Sequence, residues 1–142
     1  MVYLDTGCLV KLYYPEPDSD LVAACASGQA IIYTPLHALE LTTAFELKVF
    51  RQEATAEQAK AALNLVQEDI DGGKLVEVDA PMLNSLNEAT QIARQHAAKT
   101  GCRALDTLHC ATAIRLHAAG FISTDTRQLT LARIIGLPIL PL

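Results

Sequence analysis

Four short, largely apolar runs separated by longer helical segments constrain the fold of this 142-residue chain most strongly. Each run is three or four residues long, which suits a strand and is too short for a helix. Short continuous apolar strands alternating with helices are typical of a parallel sheet that helices cover on both faces. We therefore predict one three-layer α/β/α domain over residues 1–142, with a central, mostly parallel sheet. The predicted strands are Val2–Leu4, Ala30–Tyr33, Leu75–Val78, Phe121–Thr124 and a last short one at Pro138–Leu140.

Local capping signals mark where the intervening helices begin. Thr34 followed by Pro35 predicts the start of a long helix, and the spacing of Thr55 and Gln58 predicts a capping box. Asp79 is predicted to cap a helix that reaches about Lys99.

Composition narrows the class of protein. The chain is 51% hydrophobic and 19% charged, which is typical of a globular protein, and no apolar run approaches the roughly 18 residues that span a bilayer. The net charge of −5 argues against broad, non-specific binding to nucleic acid. The four cysteines lack metal-ligand or disulfide-framework spacing, so we expect reduced thiols and a cytoplasmic protein.

Four acidic residues lie at the ends of apolar segments or inside them. Asp5 and Asp125 end strand-like runs, Asp106 opens an apolar helix over Leu105–Leu116, and Glu40 lies in an apolar helical stretch. The first three have an alternative reading as helix caps or helix-start acids. Glu40 has no lysine or arginine three or four positions away, so a local ion pair does not explain it.

A shared metal site explains all four acids together. Carboxylates gathered at one edge of a sheet repel each other unless a cation lies between them. Ligands that are all oxygen select a hard cation, so the expected ion is Mg²⁺ or Mn²⁺. Such a site suits hydrolysis of a phosphodiester bond.

Other kinds of site are poorly supported. The chain has neither a Walker A loop nor a Rossmann glycine signature. No histidines or cysteines have the spacing of zinc ligands, so we expect core or surface roles for all of them. Gly7 stands where a haloacid dehalogenase has its second aspartate, and a receiver domain would use Asp79 as phospho-acceptor in a weak local context.

The order of the acidic motifs resembles the PIN-domain family, particularly toxin ribonucleases of the VapC type. The first motif is LDTGCLVKLY at residues 4–13, and the helix with Glu40 matches the second acidic position. LDTLHCATA at 105–113 resembles the third motif. STDTRQL at 123–129, followed by GLP at 136–138, resembles the fourth motif and the closing strand. Gly7 departs from the family, whose members often have serine there.

The resemblance implies an Mg²⁺- or Mn²⁺-dependent endoribonuclease with a PIN-like fold. It further implies a cognate antitoxin, RNA as the substrate and, in many relatives, a homodimer. The acids Asp5, Glu40, Asp106 and Asp125 would be the catalytic and metal-binding residues.

Four other residues flank the expected site. Lys11 and Arg103 are candidates for contact with the phosphate of the substrate, and Thr6 and Thr124 are candidates for hydrogen bonds to the acids. Their alternatives are solvated charges for the first pair, and capping or strand propensity for the second.

Two other functions stay open at the level of sequence. One is a PIN-type nuclease that processes RNA without an antitoxin. The other is a signalling or interaction module that binds Mg²⁺ without hydrolysing a substrate.

Overall fold

The computed structural model describes all residues from 1 to 142 and consists of seven helices around four short strands. No helix is long and apolar enough to cross a membrane. In chain order the elements are β1 (Tyr3–Leu4), α1 (Thr6–Tyr13), α2 (Ser19–Ala26), β2 (Ile31–Tyr33), α3 (Pro35–Phe50), α4 (Ala56–Asp71), β3 (Leu75–Glu77), α5 (Met82–Thr100), α6 (Ala104–Arg115), β4 (Phe121–Ile122) and α7 (Thr126–Ile134).

All strand pairing is parallel, as the apolar runs predict. β1 pairs with β4 and β2 pairs with β3, and a bridge between Val2 and Ile31 joins the two pairs in the order β3–β2–β1–β4. The predicted strand at Pro138–Leu140 is reduced to a single bridge between Ile139 and Phe121. Pro138 and Pro141 flank this bridge, and proline has no N–H to extend the pairing.

Alternate strand residues point into two separate apolar cores, which makes the structure three layers deep. Val2 and Leu4 pack with buried residues of α1 to α4, whereas Tyr3 between them packs with residues of α6 and α7. Ile122 and Phe121 divide between the two cores in the same way. The predicted α/β/α architecture is confirmed.

Most of the predicted helix starts are confirmed, and one is wrong. Thr34 and Thr55 each form a capping box at the predicted place. The helix assigned to Asp79 begins instead at Met82, after Pro81. Proline disfavours helical backbone in the residue before it, so Ala80 stays outside the helix and Asp79 lies too far upstream to cap.

The carboxyl end of β1 is where the topology reverses. From β1 the chain crosses to β2 on one side, and β4 pairs on the other side. Ligands of open α/β sheets bind in the crevice outside such a switch point. Asp5 follows β1 directly and therefore lies at this crevice.

Candidate active site

Asp5 is a buried helix cap whose two carboxylate oxygens are both hydrogen-bonded. Its Oδ1 accepts the backbone N–H of Cys8 at 2.7 Å, and its Oδ2 accepts the hydroxyl of Ser123 at 2.6 Å. Only 8% of Asp5 is exposed. The alternative reading of Asp5 as a cap is therefore correct, and capping leaves the carboxylate at the carboxyl end of β1.

Glu40 is held by partners that are distant in sequence. Its Oε2 accepts the hydroxyl of Thr6 at 2.6 Å and lies 2.5 Å from Nε2 of His109, 69 positions away. Burial raises the pKa of Glu40, but the hydrogen bonds from His109 and Thr6 outweigh burial and lower the pKa overall. Its Oε1 makes no hydrogen bond within the chain. His109 is 3% exposed, as expected of a core residue, and its imidazole also pairs with this acid.

Asp106 and Asp125 each use one oxygen at a helix start and leave the other unpaired. In the first turn of α6, Asp106 Oδ2 accepts the backbone N–H and the Nε–H of Arg103, both at 3.2 Å. Asp125 caps α7, where its Oδ1 accepts the backbone N–H groups of Arg127 and Gln128 at 2.7 and 3.1 Å. The second oxygen of each acid has no hydrogen-bond partner in the chain.

Ser123 and Gln128 connect three of the acidic segments. Besides donating to Asp5, the Ser123 hydroxyl accepts the backbone N–H of Asp125 at 3.0 Å and lies 2.7 Å from Oε1 of Gln128. The Gln128 Nε2–H in turn donates to the backbone carbonyl of Asp106 at 3.1 Å. Both side chains are almost fully buried, at 2% and 1% exposure.

Neither residue of this connection is among the predicted site residues. Thr6 and Thr124 are the two predicted sources of a hydroxyl near the acids; Thr6 donates to Glu40, whereas Thr124 is exposed and its side chain makes no hydrogen bond. Ser123 directly precedes it and could have been considered. A glutamine three residues after a capping aspartate ordinarily lies on a helix surface, so the sequence does not indicate a buried role for Gln128.

Comparison with known proteins places the chain in a family. The sequence matches the PIN domain family over residues 2–134. The chain belongs to the PIN domain family. Two solved structures share its fold at 18% identity and a TM-score of 0.64 each. FitAcB from Neisseria gonorrhoeae is matched over 99% of this chain and 97% of its own. VapBC2 from Rickettsia felis, bound to a DNA fragment from their promoter, is matched over 98% and 97%. No curated protein sequence matches the chain.

The two basic candidates of this PIN domain differ in availability. Lys11 Nζ lies 3.4 Å from Glu16 Oε2, and its side chain is 13% exposed, so an internal ion pair engages it. Lys48 pairs with the other oxygen of Glu16 at 2.5 Å. Arg103 is 77% exposed and pairs through Nε with Asp106, which leaves its other guanidinium nitrogens without a hydrogen-bond partner in the chain.

The donor chemistry of this PIN domain fits a hard cation, although the side chains are not arranged around one. All four acids offer oxygen, and three of them have an unpaired carboxylate oxygen. Burial raises the pKa of the buried Cys110 thiol, and the charges of Cys102, Asp5, Asp106 and Asp125 raise it further. No three acidic, histidine or cysteine side chains approach closely enough to hold a metal. The four-carboxylate ligand set therefore stays a prediction.

Proposed function

We propose that this PIN domain is a metal-dependent endoribonuclease and the toxin of a toxin–antitoxin pair. It hydrolyses phosphodiester bonds of RNA with Mg²⁺ or Mn²⁺ held by Asp5, Glu40, Asp106 and Asp125. One observation carries the proposal: Glu40, Asp106 and Asp125 each fix one oxygen through protein donors and leave the other free, around the switch point beyond Asp5.

Each acid has a distinct task in this proposal. Asp5 is the best-anchored ligand because two donors fix it at the end of β1. Asp106 and Asp125 would bind the ion through their unpaired oxygens while their other oxygens keep α6 and α7 in place. Glu40 would bind the ion or orient the attacking water through Oε1. A bound Mg²⁺ or Mn²⁺ would activate water and stabilise the leaving oxygen.

Substrate contact falls to the exposed basic side chain at the site. Arg103 is the stronger candidate for a phosphate contact, since Lys11 is already paired with Glu16. The overall charge of −5 favours a selective substrate over any available polyanion.

A protein partner is supported by the names of the structural neighbours. The Rickettsia felis structure is described as VapBC2 on promoter DNA, and the gonococcal one as FitAcB. By this likeness, we propose that a cognate antitoxin inhibits the chain, and that the toxin forms a homodimer as its family often does.

The test of chemistry is cleavage of structured RNA by the purified protein with Mg²⁺ or Mn²⁺. Wild-type protein should cleave, whereas Asp5→Asn and Asp106→Asn should not, and a metal chelator should abolish cleavage. Asp79→Asn is the matched control, because Asp79 is an exposed acid just after β3 that makes no side-chain hydrogen bond. Equal cleavage by all four proteins, or cleavage that survives the chelator, would contradict the proposed chemistry.

The test of the toxin role is growth of bacteria that express the chain. Expression should arrest growth, and Asp106→Asn should relieve the arrest. Co-expression of a small gene adjacent to the toxin gene should also relieve it and yield a stable complex. RNA cleavage without growth arrest would instead favour an RNA-processing nuclease.

A further inference from the structure

Glu40 contacts a buried cluster of three rings contributed by three different elements. Tyr3 of β1, His37 of α3 and His109 of α6 are exposed by 3% or less. The Tyr3 ring centroid lies 4.6 Å from His37 and 5.7 Å from His109, and the two imidazoles are 5.2 Å apart. Rings packed on this scale leave His109 little freedom to rotate.

The contacts of His109 indicate a tautomer for its imidazole. Its Nε2 faces Glu40 Oε2 at 2.5 Å, and a carboxylate can only accept, so Nε2 must be the donor. Its Nδ1 faces the hydroxyl of Tyr3 at 2.8 Å, which can donate. A neutral imidazole with its hydrogen on Nε2 therefore satisfies both contacts at once.

His37 is the third ring of the cluster and cannot replace His109. Its Nε2–H donates to the carbonyl of Leu4 at 2.9 Å, and its Nδ1 accepts the backbone N–H of Thr34 at 3.1 Å. Both ring nitrogens are therefore engaged in holding the start of α3 against β1. His37 packs against the neighbouring rings, whereas only His109 contacts Glu40.

We propose that His109, oriented by Tyr3, is the positioning residue for Glu40. Its Nε2–H and the hydroxyl of Thr6 hold Oε2, which leaves Oε1 without a hydrogen-bond partner and free to bind a metal or its water if one is held there. This inference rests on the proposed function and adds two residues, Tyr3 and His109, that act through Glu40. Partners of this kind fix the orientation of metal-binding carboxylates elsewhere.

The first test measures the hydrogen position directly and needs no nuclease activity. In ¹⁵N NMR of the wild-type imidazoles, His109 should show a protonated Nε2 and an unprotonated Nδ1. Tyr3→Phe removes the donor to Nδ1 and should shift the His109 resonances away from that pattern. A proton on Nδ1, or identical spectra for wild type and Tyr3→Phe, would overturn the proposed contacts.

The second test measures Mn²⁺ affinity by calorimetry in two variants of His109. His109→Leu removes the donor and should raise the Kd for Mn²⁺ by about 10- to 100-fold. His109→Gln places an amide N–H near the former Nε2 and should restore most of the affinity. His117→Asn is the control, because His117 is an exposed histidine beyond the far end of α6.

A double-mutant cycle with Glu40→Gln distinguishes positioning from a general structural effect. If His109 acts through Glu40, His109→Leu should add nothing to the loss already caused by Glu40→Gln. The KM for RNA should stay unchanged in His109→Leu while kcat falls. Fully additive losses, or equal losses in His109→Leu and His109→Gln, would overturn the positioning role.

The two proposals fail in different ways. Wild-type protein that neither binds Mn²⁺ nor cleaves RNA would overturn the proposed function and the role of His109 toward the metal. An unrestored loss in His109→Gln, in a wild type that cleaves RNA, would overturn the positioning role alone.

Discussion

Substitution of Asp5 separates its work as a helix cap from its proposed work as a metal ligand. Asp5 accepts one hydrogen bond from the start of α1 and one from Ser123. Asn caps helices about as well as Asp, whereas Ala cannot cap. Asp5→Asn therefore keeps the cap and removes the charge, and Asp5→Ala removes both.

The expected losses follow from these two hydrogen bonds. A lost cap costs about 0.5–2 kcal/mol, and a lost hydrogen bond to a charged group costs about 1.5–3 kcal/mol. Asp5→Ala should therefore lower the free energy of unfolding by about 2–5 kcal/mol, whereas Asp5→Asn should lose about 1 kcal/mol or less. Urea unfolding followed by circular dichroism measures both values.

Repeating the unfolding measurement with Mn²⁺ tests whether Asp5 is a metal ligand. A metal that binds only the folded state stabilises it by about 2.7 kcal/mol at 100 times its Kd. Wild type and Asp79→Asn should gain this stability, and Asp5→Asn should gain almost none. An equal gain in Asp5→Asn and wild type would refute the assignment of Asp5 as a ligand, even with its cap intact.

Substitutions at three further residues test the contacts in and around the site. Gln128→Met should lower the free energy of unfolding by about 1–2 kcal/mol in urea, since it removes the buried hydrogen bond from Nε2 to the Asp106 carbonyl and the polar contact of Oε1 with Ser123. An unchanged value would show that these contacts add no stability. Burial raises the pKa of Glu16, but the hydrogen bonds and charges of Lys48 and Lys11 outweigh burial and lower the pKa below its ordinary value of 4.5. Glu16 therefore stabilises the fold above pH 4.5, and this stabilisation is lost as the pH falls through the lowered pKa. As the pH is lowered, the free energy of unfolding of Glu16→Gln should accordingly fall by about 0.5–1 kcal/mol less than that of wild type. An identical pH dependence in the two proteins would contradict the ion pair. Thr6→Val should weaken Mn²⁺ binding and Thr6→Ser should not, because only the hydroxyl reaches Glu40; equal affinity in a calorimetric titration of both variants would count against this role.

Features set by neighbours in sequence could be predicted from the sequence. The strands followed from short apolar runs, and the starts of α3 and α4 followed from Thr34 and Thr55. The helix predicted to start after Asp79 starts instead at Met82, because the constraint that Pro81 places on the preceding residue outweighs the capping preference of Asp79. The predicted last strand forms only a single bridge, because the prolines that flank it have no N–H to extend the pairing.

Features that depend on contacts between distant elements could not be predicted. Glu40 was correctly singled out as an acid without a local partner, but only the folded chain brings His109 beside it. The same applies to Ser123, whose partner Asp5 is 118 positions away. Whether Lys11 is available could not be read from spacing either, since the pairing with Glu16 depends on the turn after α1.

Crystals of the protein grown with Mn²⁺ test the central claim most directly. Anomalous scattering should place the ion at the carboxyl end of β1, with oxygens of Asp5 and Asp106 among its ligands at roughly 2.0–2.6 Å. Oε1 of Glu40 and the free oxygen of Asp125 should face the same ion or its bound water. An anomalous peak away from these carboxylates, or none at saturating Mn²⁺, would contradict the proposed metal centre.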